Sequence, residues 1–78
     1  MPHVIVKLWP GPSEQQKQKL TEQILEDMVA TLRTSRESIS MAFEEVAPSD
    51  WLRDVYRADI EPKLDKLYKK PGYGPGDL

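Results

Sequence analysis

Residues 2–16 read PHVIVKLWPGPSEQQ and combine a strand, a tight turn and the beginning of a helix. Apolar and polar positions alternate in the first part, which predicts a strand with one apolar face. The residues predicted on that face are Pro2, Val4, Val6 and Leu8. The segment 10–12, PGP, cannot continue a strand and predicts a turn. Ser13 and Gln16 have the spacing of a capping box, so we expect a helix to begin there.

The next thirty or so residues predict a helix followed by a second strand. Apolar side chains recur every four residues at Leu20, Ile24, Met28 and Leu32, as on one face of a helix. Ile39, Met41 and Phe43 then alternate with small or polar residues, as in a strand. A helix between two strands is typical of a right-handed crossover with parallel strands. The predicted fold class is therefore α+β, with a βαβ subunit.

Such a subunit is too small to enclose a substantial core. The chain has 78 residues, no Cys and one His, His3, so neither a disulfide nor a Cys/His zinc site can supplement the core. Self-association is the remaining remedy. We expect two subunits to pair edge to edge into a four-stranded sheet covered by helices. A homodimer is the predicted assembly, with a hexamer as the alternative.

The last part of the chain predicts a second helical region and an arm. Ser49 and Asp50 are candidate caps for a helix that carries Trp51, and Pro62 should interrupt it. In the latter part of this region, the side chains expected on the inner side are Ile60, Leu64, Leu67 and Tyr68. Residues 69–78, KKPGYGPGDL, predict an extended C-terminal arm of a single domain that spans residues 1–78.

Charge and hydropathy exclude several classes of partner. There are 11 basic and 13 acidic residues, for a net charge of −2, and no basic block, so a nucleic-acid partner is not expected. No long apolar run predicts a membrane span or a signal peptide. We therefore expect a cytoplasmic protein without a membrane partner, acting on a small molecule.

The order and spacing of several short motifs carry a family resemblance. MPHVIVK, the helix start SEQQK, SISMAFEEV at residues 38–46, PSDW at 48–51 and KKPGY at 69–73 together resemble the 4-oxalocrotonate tautomerase family, and most of all its small dimeric bacterial phenylenolpyruvate-type members. The resemblance implies a keto–enol tautomerase, an isomerase that needs no cofactor and no metal. It also implies that Pro2, after removal of Met1, is the general base, and that Trp51 and Phe43 line the substrate pocket.

Elementary chemistry is consistent with that role for Pro2. An α-amine has a pKa of about 8 and is mostly protonated at neutral pH. Burial in an apolar pocket disfavours the ammonium form and lowers the pKa towards the working pH, where a base is most effective. We therefore expect the freed Pro2 nitrogen to be able to move a proton between the enol and keto positions.

The substrate-binding side departs from the family pattern. Family members that bind dicarboxylates carry an Arg just after the first strand and another in the second strand, where this chain has Gly11 and Ser40. Arg36, in the loop that enters the second strand, is the best-placed remaining cation, and the Ser40 hydroxyl is a candidate hydrogen-bond donor. A monocarboxylate with an aromatic tail is the predicted substrate.

Two alternatives remain open from the sequence. A hydratase or dehalogenase of the same fold would use a protonated Pro2 as an acid, and a non-catalytic oligomeric binding module would keep the pocket without the chemistry.

Strand alternation places His3 on the face opposite Pro2, so we expect it to serve packing or an interface.

Overall fold

The strands and the first helix form the predicted βαβ unit. The computed structural model describes residues 1–78. It contains β1 (His3–Leu8), α1 (Glu14–Leu32) and β2 (Ser40–Glu45). The two strands are parallel neighbours, in a register that runs from His3 opposite Ser40 to Leu8 opposite Glu45. The α+β fold class is confirmed.

The turn and the helix cap between β1 and α1 follow from local chemistry. Gly11 has a φ of +146°, which a residue with a Cβ rarely adopts. The Ser13 hydroxyl accepts the Gln16 backbone N–H at 3.1 Å, and the Gln16 side chain accepts the Ser13 N–H at 2.8 Å. The predicted capping box is therefore present. At the other end, α1 stops at Arg33, whose φ of 53° and ψ of 44° are left-handed.

The second helical region changes its winding along its length. α2 spans Pro48–Trp51, continues as a π-helical segment over Leu52–Ile60, and is followed by a 3-10 segment over Glu61–Lys66. The prediction of a break at Pro62 is confirmed, because Pro62 lies in the first turn of that separate segment.

Two local expectations in this region are wrong. Ser49 and Asp50 do not cap α2: Ala47 holds the cap position and Pro48 starts the helix, where its missing N–H costs nothing. Tyr68 and Leu64 are not on the inner side, since they are 109% and 38% exposed. The 3-10 segment ends at Lys66, and the backbone is extended at Leu67, so the helical spacing that predicted the inner positions does not persist.

The tail, residues 69–78, contains a short 3-10 turn at Pro75–Asp77 and is not extended throughout. At Tyr73 it lies against its own chain, where it contacts Trp51 and Tyr56. The tail thus covers part of the second helical region of the same subunit.

Opposite faces of the sheet meet different helices. Lys17 of α1 bonds Glu45 at 3.0 Å, and Lys7 bonds Asp59 of the π-helical segment at 2.6 Å.

Only Val55 and Tyr56 are buried, at 5% and 6% exposure, so a single subunit encloses almost no core. No helix of the structure is both long enough and apolar enough to cross a membrane.

Candidate active site

Pro2 is fixed at the entrance to β1. It is half-buried, and its carbonyl oxygen accepts the backbone N–H of Ser40 at 3.1 Å. Met1 is fully exposed. Because nothing packs on Met1, cleavage of the Met1–Pro2 bond would free the Pro2 nitrogen without disturbing a contact of the fold.

The Ser40 side chain does not point towards Pro2. Its hydroxyl lies 2.6 Å from Nδ1 of His3, the residue opposite it in the sheet register. Successive side chains of a strand point to opposite faces, so this pair lies on the face away from Pro2. Ser40 therefore approaches Pro2 through its backbone, while its hydroxyl already has a partner.

Arg36 is near the Pro2 end of the sheet but is paired with an acid. It stands four residues before Ser40, in a 3-10 turn at Arg36–Ser38. Its guanidinium donates two hydrogen bonds to the Glu22 carboxylate, at 2.7 and 2.8 Å. These bonds raise the pKa of Arg36 above its ordinary value. The pair is half-exposed, so a carboxylate in solution can reach the same guanidinium.

Phe43 shares the sheet face of Pro2 but not its position. It lies opposite Val6, about 13 Å along the strand from Pro2. α1 covers this face, and Phe43 closes a cavity of about 360 Å³ whose other walls are polar or charged residues of the helix. In a single subunit Phe43 therefore packs under α1 and does not line a pocket at Pro2.

Trp51 lines a second, mostly apolar cavity at the other end of β1. This cavity has a volume of about 480 Å³ and is formed by the strand end, α2 and the tail. Its lining residues are Lys7, Leu8, Trp9, Trp51, Tyr73, Asp77 and Leu78. Trp9 and Trp51 meet edge to face, with centroids 6.4 Å apart and an interplanar angle of 89°. The indole N–H of Trp51 donates to the Tyr73 hydroxyl at 3.0 Å.

Sequence reasoning missed Trp9 and Tyr73 as residues that line this cavity. The signals available were an apolar ring after the strand and a tyrosine within a Gly- and Pro-rich tail, and neither indicates which distant residue it contacts. Trp51 and Tyr73 are separated by 22 positions in the chain. Only the return of the tail brings them together.

The charged groups of this cavity already have partners. Lys7 bonds Asp59 at 2.6 Å and lies 4.0 Å from Glu44, and the bond to Asp59 raises the pKa of Lys7. Asp77 accepts the backbone N–H of Gly74 at 2.9 Å. The cavity therefore presents chiefly aromatic and aliphatic surface to a ligand.

One chain does not bring Pro2 and Trp51 together. Trp51 contacts Trp9, which is about 23 Å further along the chain direction of β1 than Pro2. Pro2 and Arg36 lie at one end of the sheet and the aromatic cavity lies at the other. A site that uses both needs two chains, each supplying one end.

The structure contains no group of three or more His, Cys, Asp or Glu side chains close enough to hold a metal ion.

Comparisons with known proteins agree on one family. The family model described as "Tautomerase enzyme" matches residues 2–59. A "Probable tautomerase" of Xylella fastidiosa is 40% identical over 74 residues, which cover 95% of this chain and 90% of that protein. "Tautomerase PptA" of Pectobacterium carotovorum is 42% identical over 77 residues, covering 94% and 97%.

A solved structure has the same fold. The crystal structure of YwhB, a homologue of 4-oxalocrotonate tautomerase, superimposes with a TM-score of 0.57 at 35% identity. The match covers 59% of this chain and 75% of that one.

Proposed function

The chain belongs to the tautomerase family of isomerases, and from this premise we propose that it interconverts the enol and keto forms of an aromatic, enolpyruvate-like monocarboxylate. The base is the nitrogen of Pro2, freed by removal of Met1. The observation that carries the proposal is the position of Pro2, anchored to Ser40 through its carbonyl while Met1 remains exposed.

The Pro2 nitrogen has the chemistry that the reaction requires. While it is joined to Met1 it is an amide nitrogen and has no useful basicity. Once free it is a secondary amine, and its half-buried position disfavours the ammonium form. The neutral amine takes a proton from the enol hydroxyl. The resulting ammonium returns a proton to the carbon of the enol double bond that does not carry the hydroxyl. The step needs neither a cofactor nor a metal.

The other residues supply binding. Arg36 is the proposed partner of the single carboxylate, at the Pro2 end of the sheet. The apolar cavity beside Trp51 receives the aromatic tail. Ser40 contributes its backbone bond to Pro2, and Phe43 contributes apolar packing beneath the same sheet face.

The assembly that joins these parts is a homodimer. Two strands paired antiparallel about a two-fold axis bring the beginning of one beside the end of the other. Pro2 of one subunit would then lie at the same end of the joint sheet as the Trp51 cavity of its partner. The nearly absent core of a single subunit supports the same association.

The test follows the ultraviolet absorbance of an aromatic enolpyruvate during ketonisation. We expect Pro2→Ala to lower the rate by about a hundredfold or more, the contribution typical of a general base. Pro12→Ala, in the turn after β1, is the matched control and should retain the rate. A Pro2→Ala rate equal to that of the wild type would exclude the Pro2 mechanism.

Mass spectrometry of the same samples shows which chains have lost Met1. Protein that retains Met1 should be inactive and folded, because its Pro2 nitrogen is acylated. Activity of the Met1-retaining form would contradict the proposal. Turnover of a haloacrylate with no ketonisation would favour the hydratase or dehalogenase, and binding without turnover of either substrate would favour the binding module.

A further inference from the structure

We propose that Tyr73 is a positioning residue, which fixes the indole of Trp51 as a wall of the apolar cavity and thereby sets the preference for aromatic substrates. The aromatic substrate named in this inference rests on the proposed function. The contacts that position Trp51 are independent of that function.

Tyr73 connects the cavity wall to the buried part of the molecule. Its ring lies 6.0 Å from the ring of Tyr56, at an angle of 52°. Tyr56 is only 6% exposed and is one of the two buried residues of the subunit. The Tyr73 hydroxyl, held in this way, accepts the Trp51 indole N–H at 3.0 Å. Trp51 is therefore connected through Tyr73 to one of the two buried side chains of the subunit.

Trp51 makes a second contact, with the ring of Trp9. Trp9 meets Trp51 edge to face, and Trp9 is itself half-exposed at 50%. An edge-to-face pair alone tolerates rotation of the partner ring over a range of angles. The directional hydrogen bond to Tyr73 removes that freedom, so the two contacts together define one orientation of Trp51.

The orientation matters because the cavity offers few other recognition groups. Its cation, Lys7, is bonded to Asp59, and its carboxylate, Asp77, accepts the Gly74 N–H. Binding of a ligand there depends on flat apolar contact, which an aromatic ring exploits fully and a short aliphatic chain does not. Loss of the Tyr73 hydroxyl should therefore weaken the binding of aromatic substrates more than the binding of aliphatic ones.

The first test compares KM for two substrates, an aromatic enolpyruvate and the enol of an unbranched 2-oxo acid. Tyr73→Phe keeps the ring on Tyr56 and removes only the hydroxyl. We expect KM for the aromatic substrate to rise about three- to tenfold, the range of one hydrogen bond, with kcat within about twofold of the wild type. KM for the aliphatic substrate should stay within about twofold. Tyr68→Phe is the matched control, because Tyr68 is fully exposed.

The second test does not depend on activity and measures the solvent accessibility of Trp51 together with that of Trp9, the other tryptophan of the chain. Acrylamide quenching of tryptophan fluorescence should be stronger in Tyr73→Phe than in the wild type, and unchanged in Tyr68→Phe. Equal KM increases for both substrates, or quenching identical to that of the control, would overturn the proposal. Failure of the Pro2 mechanism is detected separately, by the rate of Pro2→Ala, and leaves the quenching comparison valid.

Discussion

The Arg36 guanidinium, which is bonded to Glu22, is the proposed partner of the substrate carboxylate. Arg36→Gln should raise KM for an aromatic enolpyruvate about tenfold, the range of a charge-assisted hydrogen bond. Glu22→Gln should lower KM, because Glu22 no longer competes for the guanidinium. Steady-state kinetics at fixed ionic strength measures both effects.

Glu61→Gln provides the charge-matched control for Glu22→Gln, since Glu61 lies beyond the π-helical segment and makes no ion pair. Unchanged KM in both Arg36→Gln and Glu22→Gln would contradict the assignment of Arg36. The exposed Arg33, at the same end of the sheet, would then be the next cation to test.

The bond between Lys7 and Asp59 makes the free energy of unfolding depend on pH in the alkaline range. Its bond to Asp59 raises its pKa above the ordinary 10.5, so the ammonium is favoured in the folded state. The resulting stabilisation is complete below pH 10.5 and is lost as the pH rises through the raised value. Between about pH 10 and 12, the melting temperature of the wild type should therefore fall more steeply than that of Lys7→Met.

Thermal unfolding followed by circular dichroism across this pH range measures the difference. Lys66→Met, in the exposed 3-10 segment, serves as the control and should follow the wild-type curve. Parallel curves for Lys7→Met and the wild type would show that the Lys7–Asp59 contact does not persist in solution.

Single residues could be predicted from the sequence where their partners are local. The Ser13–Gln16 box spans three positions and was identified from spacing alone. The His3–Ser40 and Trp51–Tyr73 contacts were not predicted, because they depend on strand register and on the return of the tail. The roles of Pro2, Trp51, Phe43, Ser40 and Arg36 in catalysis or binding remain predictions.

Among the elements, α1 begins at a capping box whose contribution to the free energy of unfolding can be measured. Ser13→Ala removes the side chain that accepts the Gln16 N–H, and we expect it to lower the free energy of unfolding by about 1 kcal/mol. Urea denaturation at fixed protein concentration measures the change. Ser35→Ala is the matched control, because Ser35 is the N-cap residue of the Arg36–Ser38 turn and its side chain makes no capping hydrogen bond. Equal losses in the two variants would indicate that the box contributes nothing specific.

In the second helical region, the sequence pattern predicts the break in the helix but not the type of helix. The break at Pro62 was predictable because proline lacks an N–H and its ring excludes an unbroken helix. The π-helical winding of Leu52–Ile60 was not, since apolar spacing does not distinguish hydrogen bonds to the fourth residue from bonds to the fifth. We find no physical cause for this winding in the contacts of the segment.

At the scale of the whole molecule, stability should depend on protein concentration. A subunit with two buried residues cannot reach ordinary stability alone, and mass action favours the folded form when folding is coupled to association. We expect the melting temperature to rise with concentration. Light scattering should give about 18 kDa, twice the subunit mass of 9.0 kDa. A concentration-independent melting temperature with a 9.0 kDa particle would contradict the homodimer.

The chain order of strand, helix and strand, and the parallel pairing, followed from the sequence because crossover geometry allows few alternatives. The distance between Pro2 and Trp51 did not follow. It depends on which end of β1 the second helical region covers, and a periodic pattern carries no information about that choice.

In the proposed homodimer, with its site shared between subunits, the placement of Pro2 and Trp51 at opposite ends of β1 has a genetic consequence. A cell that expresses one gene copy with Pro2→Ala and another with Trp51→Ala would form mixed dimers, in which one of the two sites receives both intact residues. With equal expression and random pairing, about a quarter of all sites would be complete. Two alleles that are each inactive alone would therefore complement each other, whereas two copies of either allele would not.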